Sequence, residues 1–141
     1  MSEAGDIWRT AYRHPTDWDQ DFPPLTLPDM FEATARRVPN AWAIDFMGRK
    51  YSYAELASGV ERVACGLARL GIGKGDRVGL FLPNVPHYVA AYYGAMKLGA
   101  TVVNFSPLYT VPELAAQIED SGTRILFTIS ASALLPNALE V

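Results

Sequence analysis

The chain has 141 residues, 50% of them hydrophobic and 19% charged, with a formal net charge of −3. That length suits about one ordinary domain, and the apolar share excludes a disordered polypeptide. With 12 basic residues against 15 acidic ones and no cluster of Lys or Arg, neither nucleic acid nor an anionic membrane is an expected partner.

The chain opens MSEAGDIWRTAYRHPTDWDQDF, which mixes acids, bases and aromatics without an apolar run. It does not read as a secretory signal, so the expected compartment is the cytoplasm. Residues 1–26 show no period and are expected to form an aromatic arm. Trp8, Tyr12, Trp18 and Phe22 would pack that arm on the body or on a partner, with Asp17, Asp19 and Asp21 in solvent. An α/β subdomain is expected over residues 27–141. Its first helix is predicted from about Pro28 to Val38, stopped by Pro39. AIDF (43–46) and KYSY (50–53) flank Met47-Gly48-Arg49 and predict a short hairpin.

Ser52 and Glu55 then form a capping box, and Leu56, Val60, Val63, Ala64, Leu67 and Leu70 recur at steps of three and four. This is a helix with one packing face, ended by Gly71. Cys65 is the single cysteine, so no internal disulfide can form, and it is expected to be a small buried or half-buried side chain.

Residues 78–112 hold one charge, Lys97. A membrane helix needs about 20 consecutive apolar residues, but Pro83, Asn84, Pro86 and His87 interrupt this run. It reads instead as a strand (VGLFL, 78–82), a helix from Pro86 to Leu98 stopped by Gly99, and a second strand (TVVNF, 101–105). Asn84 is placed to cap that helix. Thr110 and Glu113 form another capping box for a helix to about Ser121, with Gly122 as its stop, and RILFTI (124–129) is a third strand. Arg77, Thr101 and Ile125 head the strands at equal spacing. Strands alternating with helices predict an α/β fold, a layered parallel sheet with crossover helices. Parallel strands are covered on both faces, which accounts for the missing charges.

LGIGKGDRVG (70–79) resembles a phosphate loop only superficially. Its glycines follow a helix and enter a strand, the reverse of the order an anion needs, and no Ser or Thr follows Lys74. His14 and His87 have no Cys or carboxylate at metal-ligand spacing. In open parallel sheets, ligands bind beyond the carboxyl ends of the strands. The candidates to line such a site are Asn84, His87, Ser106, Pro107 and Tyr109.

YSYAEL (51–56), GIGKGDRVGLFLPN (71–84), MKLGATVVNFSPLYTVPEL (96–114) and EDSGTRILF (119–127) follow one another in an order that resembles the amino-terminal part of AMP-forming acyl-activating enzymes. PLYT followed by Pro-Glu-Leu is most similar to bacterial long-chain fatty-acid–CoA ligases; Ser106 stands where that group usually has Asn. The resemblance implies a parent that adenylates a fatty acid with ATP and Mg²⁺, then transfers the acyl group to CoA. In that family the ATP phosphate loop, the adenine-binding aromatic, the ribose-binding aspartate and the adenylating lysine all lie downstream of the part matched here. No catalytic, cofactor-binding or metal-binding residue is therefore carried over. The chain alone is expected to be inactive and to bind no cofactor, with the remainder of the enzyme as its partner. The parent is expected in the cytoplasm or peripheral to a membrane. The other reading is a stand-alone binding or oligomerisation module, self-associating through an exposed sheet edge.

Overall fold

The computed structural model describes residues 11–12, 15–132 and 134–141. Trp8 and His14 lie outside the described residues. Three helices begin at reciprocal caps, and each box is spelled by residues three apart. In α1 (Leu27–Arg37), Thr26 N donates to Asp29 Oδ2 and Asp29 N donates back to Thr26 Oγ1, both at 3.2 Å. In α2 (Tyr53–Arg69), Ser52 N donates to Glu55 Oε2 at 2.8 Å and Glu55 N donates to Ser52 Oγ at 3.2 Å. In α4 (Val111–Ser121), Glu113 Oε2 accepts from Thr110 N at 2.9 Å. Each box satisfies N–H groups that a helix start leaves without intrahelical partners.

Between α1 and α2, β1 (Trp42–Phe46) and β2 (Arg49–Ser52) pair antiparallel. Phe46 pairs with Arg49, so the turn is the two residues Met47 and Gly48. Both have positive φ, 50° and 81°. That is the sense of twist a two-residue hairpin requires.

β3 (Arg77–Phe81), β4 (Thr101–Phe105) and β5 (Ile125–Phe127) form a parallel sheet in the order β4-β3-β5. α3 (Pro86–Lys97) links β3 to β4 on one side of the centre. α4 links β4 to β5 on the other, stepping past β3. The central strand alternates between two cores. Val78, Leu80 and Leu82 meet Leu67 of α2 and Ala91 and Ala95 of α3. Phe81 joins Phe105, Leu114 of α4 and Leu134 of α5 (Leu134–Glu140). The sheet is thus a middle layer, with α2 and α3 over one face and α4 and α5 over the other. A third cluster, Phe31, Leu56 and Val60, holds α1 to the outer side of α2 and α3.

Two glycines in this packing are there for space. A Cβ on Gly79 would lie 2.5 Å from Phe105, 2.8 Å from Leu126 and 2.9 Å from Thr123; one on Gly94 would lie 2.7 Å from Val63 Cγ1 and 3.1 Å from Val60 O. The first lets three strands share one apolar layer. The second lets α2 and α3 touch backbone to side chain.

The fold corrects several sequence expectations. Asn84 does not cap α3: the N-cap is Val85, with no side-chain bond, because Val85 N closes a turn onto Pro83 O at 2.8 Å. Pro86 in the first turn has no N–H to satisfy. Leu70 is 66% exposed, since α2 ends one residue before it and the chain turns away. Cys65 is exposed, one step of about 100° round the helix from buried Ala64. Phe22 is 76% exposed rather than packed, while Tyr12 and Trp18 face each other at 5.8 Å between ring centroids. The strands are not all covered alike: Val102 is half-buried because β4 has a neighbour on one side only, whereas its partner Val78 in the central strand is sealed.

Candidate functional site: the carboxyl ends of the sheet

The strands run in one direction, so β3, β4 and β5 all deliver their following loops to the same end. There the candidate residues separate into three places. Asn84 is exposed and lines a hollow of about 230 Å³ with Asp45, Phe46 and Tyr88, between the hairpin and the start of α3. His87, one residue into α3, is exposed on the opposite side. It borders two adjoining hollows, of about 470 and 350 Å³, between α2, α3 and β5. Ser106, Pro107 and Tyr109 belong to the loop entering α4. Tyr109 N donates to Ser106 O at 3.0 Å, and the Tyr109 ring packs on the Phe81–Leu114 core.

One clamp was not anticipated from the sequence. Tyr88 Oη donates to Asn104 Oδ1 at 2.9 Å, which ties the first turn of α3 to the end of β4. Burial raises the Tyr88 phenol above its usual range, with Tyr92 nearby adding to it. The signal was present in the letters: Asn104 is the polar residue inside the strand TVVNF.

At the opposite, amino end of the sheet, the glycine turn 71–75 is closed by the chain itself. Gly73 N donates to Asp76 Oδ2 at 2.8 Å, and Gly75 N donates to Gly99 O at 3.2 Å. Asp76 also holds Arg124 at 2.6 Å. The Arg124 guanidinium, then the Gly73 amide, keep the Asp76 carboxyl below its ordinary range. A carboxylate thus occupies the place where a phosphate loop would present free N–H groups to an anion. Among the described residues no group of three or more His, Cys, Asp or Glu is placed to hold a metal ion.

The profile of the family described as AMP-binding enzyme matches residues 31–141. The chain belongs to that family. It is 33% identical over 134 residues to a long-chain-fatty-acid–CoA ligase of Bacillus subtilis (strain 168), covering 95% of this chain and 24% of that protein. It is 42% identical over 81 residues to 4-coumarate–CoA ligase 3 of Oryza sativa subsp. japonica, covering 57% of this chain and 15% of that one. Among solved structures, the inhibitor-bound N-terminal domain of FACL13 from Mycobacterium tuberculosis superposes with a TM-score of 0.72 at 31% identity, covering 79% of this chain and 28% of that one. The NpsA N-terminal subdomain of Klebsiella oxytoca in complex with 3-hydroxyanthranilyl-AMSN gives 0.68 at 28% identity, over 71% and 26%.

This AMP-binding family chain therefore spans about a quarter of the length of the long-chain ligase relatives it matches. Its fold is the α/β fold of N-terminal domains of acyl-CoA synthetases and adenylation enzymes. The chain's glycine turn 71–75 is closed on Asp76, so that turn does not fit a phosphate. None of its helices is long and apolar enough to cross a membrane, among the described residues.

Proposed function

We propose that the chain is the amino-terminal scaffold of a fatty-acid–CoA ligase, a cytoplasmic enzyme that adenylates its acid at the expense of ATP and forms the CoA thioester. The observation that carries this reading is the 33% identity to a long-chain ligase along 95% of the chain, rather than over a single motif. No step of that reaction is assigned to a residue of this chain. Residues 27–141 act as the structural subdomain, and residues 1–26 as an arm that joins it to the rest of the enzyme. Asn84, His87, Ser106, Pro107 and Tyr109 are proposed as wall residues at the sheet's carboxyl end, where the apolar hollows beside His87 suit an acyl-binding neighbourhood better than a phosphate.

The test is thioester formation by the longer polypeptide translated from the same reading frame, followed by mass spectrometry with ATP, Mg²⁺ and CoA. Long-chain fatty acids are expected to give acyl-CoA in preference to hydroxycinnamic acids. A preference for hydroxycinnamate, as the name of the Oryza relative, 4-coumarate–CoA ligase 3, would suggest, overturns the fatty-acid assignment; no thioester with either overturns the ligase assignment.

A further inference from the structure

Strands β3 and β4 lie side by side, yet the chain leaves their carboxyl ends in opposite directions. β3 runs into α3, over the face that α2 also covers, whereas β4 runs into α4 over the other face. Adjacent strands whose connections part in this way leave a crevice between their ends, the place where open α/β sheets take their ligands. Its two banks are residues 83–87, which lead into α3, and residues 106–109, which lead into α4. The far end of the second bank is fixed by side chains. The Tyr109 ring packs on the Phe81–Leu114 core, Asn137 Nδ2 donates to Tyr109 O at 3.4 Å, and Thr110 opens α4 with its capping box. The first bank has no cap of that kind, because Val85 offers α3 no side-chain bond.

The Tyr88–Asn104 hydrogen bond crosses this crevice. Asn104 is opposite Leu80 in the parallel register and two residues beyond Val102, so its side chain is on the face that α3 covers. Tyr88 reaches it from the first turn of α3, its ring stacked on Tyr92 at 6.2 Å between centroids. Tyr88 directly follows His87, and Asn104 stands two residues before Ser106. One bond therefore fixes the two banks against each other. We infer that Tyr88 is a positioning residue for the acid-binding wall: through Asn104 it sets the separation of the His87 turn from the Ser106–Tyr109 loop, and with it the grip on the fatty acid. This deepens the reading proposed above and rests on it.

The longer polypeptide from the same reading frame is assayed for thioester formation with Tyr88→Phe, Asn104→Leu, both together, and Asn104→Asp. Tyr88→Phe and Asn104→Leu each remove the bond. Each is expected to raise the KM of the long-chain acid about three- to tenfold, the span that one neutral hydrogen bond supports, with kcat and the KM of ATP unchanged. The double variant adds nothing further, since both substitutions break the same bond. Asn104→Asp keeps an acceptor for Tyr88 Oη and restores the parent KM. An unchanged acid KM, an additive double variant, or a loss shared by kcat and the KM of ATP in step with a lowered Tm overturns the inference. The 141-residue chain gives a readout independent of activity. Leu108 N donates to Ser106 Oγ at 3.3 Å and Tyr109 N to Ser106 O at 3.0 Å. Tyr88→Phe is expected to speed hydrogen exchange at these two amides by about threefold or more, and to leave the amides of β3 as they were. Equal exchange with and without the substitution overturns the positioning role. Faster exchange, together with a longer polypeptide that forms no acyl-CoA, keeps Tyr88 as the residue that positions this loop and removes the ligase reading alone.

Discussion

Gly79 and Gly94 carry the tightest demands on residue choice, and both demands are steric. Gly79→Ala would drive a methyl into Phe105, Leu126 and Thr123 at the centre of the sheet, and Gly94→Ala would press on Val63 and the Val60 carbonyl. Overpacking of this kind costs typically about 1–3 kcal/mol. Gly66 is the control: it sits in the interior of α2, yet a Cβ there would meet nothing within 4 Å. Gly66→Ala is expected to stabilise by about 0.5–1 kcal/mol, by removing the entropy a glycine loses in a helix. Chemical denaturation of the three variants checks this, and destabilisation by all three would mean that α2 and α3 are packed differently. Lys97 is the other residue whose place is decided by its neighbours. The one charge in residues 78–112 emerges at the last turn of α3, where its ammonium meets Glu32 of α1 at 2.7 Å and Glu61 of α2. An apolar run tolerated it because Lys97 lies where the run reaches the surface. With Lys97 30% and Glu61 57% exposed, the cluster is a fastening between helices and not a major source of stability.

Helix starts are the element-scale feature in which local sequence and structure agree best. Ser52 with Glu55 and Thr110 with Glu113 are legible as letters three apart, and both boxes form. Thr26 with Asp29 makes the same closure with a shorter acid, which the Glu pattern does not find. Asn84 misled for a physical reason: capping ability is a property of the side chain, but Pro83 and Pro86 had already settled where the backbone could begin its helix. These caps predict a pH dependence. In Glu55 and Glu113 the N-cap amide and hydroxyl hold the carboxyl below its ordinary value of 4.5. Thr26 does the same for Asp29, and Arg124 does so for Asp76, below 3.8. Each group is more acidic folded than unfolded, so its stabilisation is complete above those ordinary values and is lost as pH falls through the lowered ones. Lys97 runs the other way. Glu32 and Glu61 raise it above 10.5, so its share is complete below that value and lost as pH rises through the raised one. Unfolding by urea is expected to need less denaturant at about pH 3 than at about pH 6, and Glu113→Gln, which keeps an acceptor without the charge, should shrink that difference. An undiminished difference would mean that the α4 cap carries none of the acid sensitivity.

For the molecule as a whole, equal spacing of Arg77, Thr101 and Ile125 announces strands joined by crossovers, and the sheet is parallel as that spacing requires. The order β4-β3-β5 is not written in the spacing, because a crossover of given length can step to either side. It shows only in which residues are sealed: β3 is buried at Val78 and Leu80, and the residues paired with them, Val102 and Asn104 in β4 and Ile125 and Phe127 in β5, are not. The carboxyl-end residues were legible as a set, but their division among three places depends on how the hairpin and α2 pack beside α3. At the amino end of this sheet the glycine turn is closed on Asp76 and holds no opening for a phosphate. Calorimetric titration of the 141-residue chain with ATP and Mg²⁺ tests that claim most directly: the account predicts no saturable heat, and stoichiometric binding weakened by substitution within residues 71–76 would contradict it.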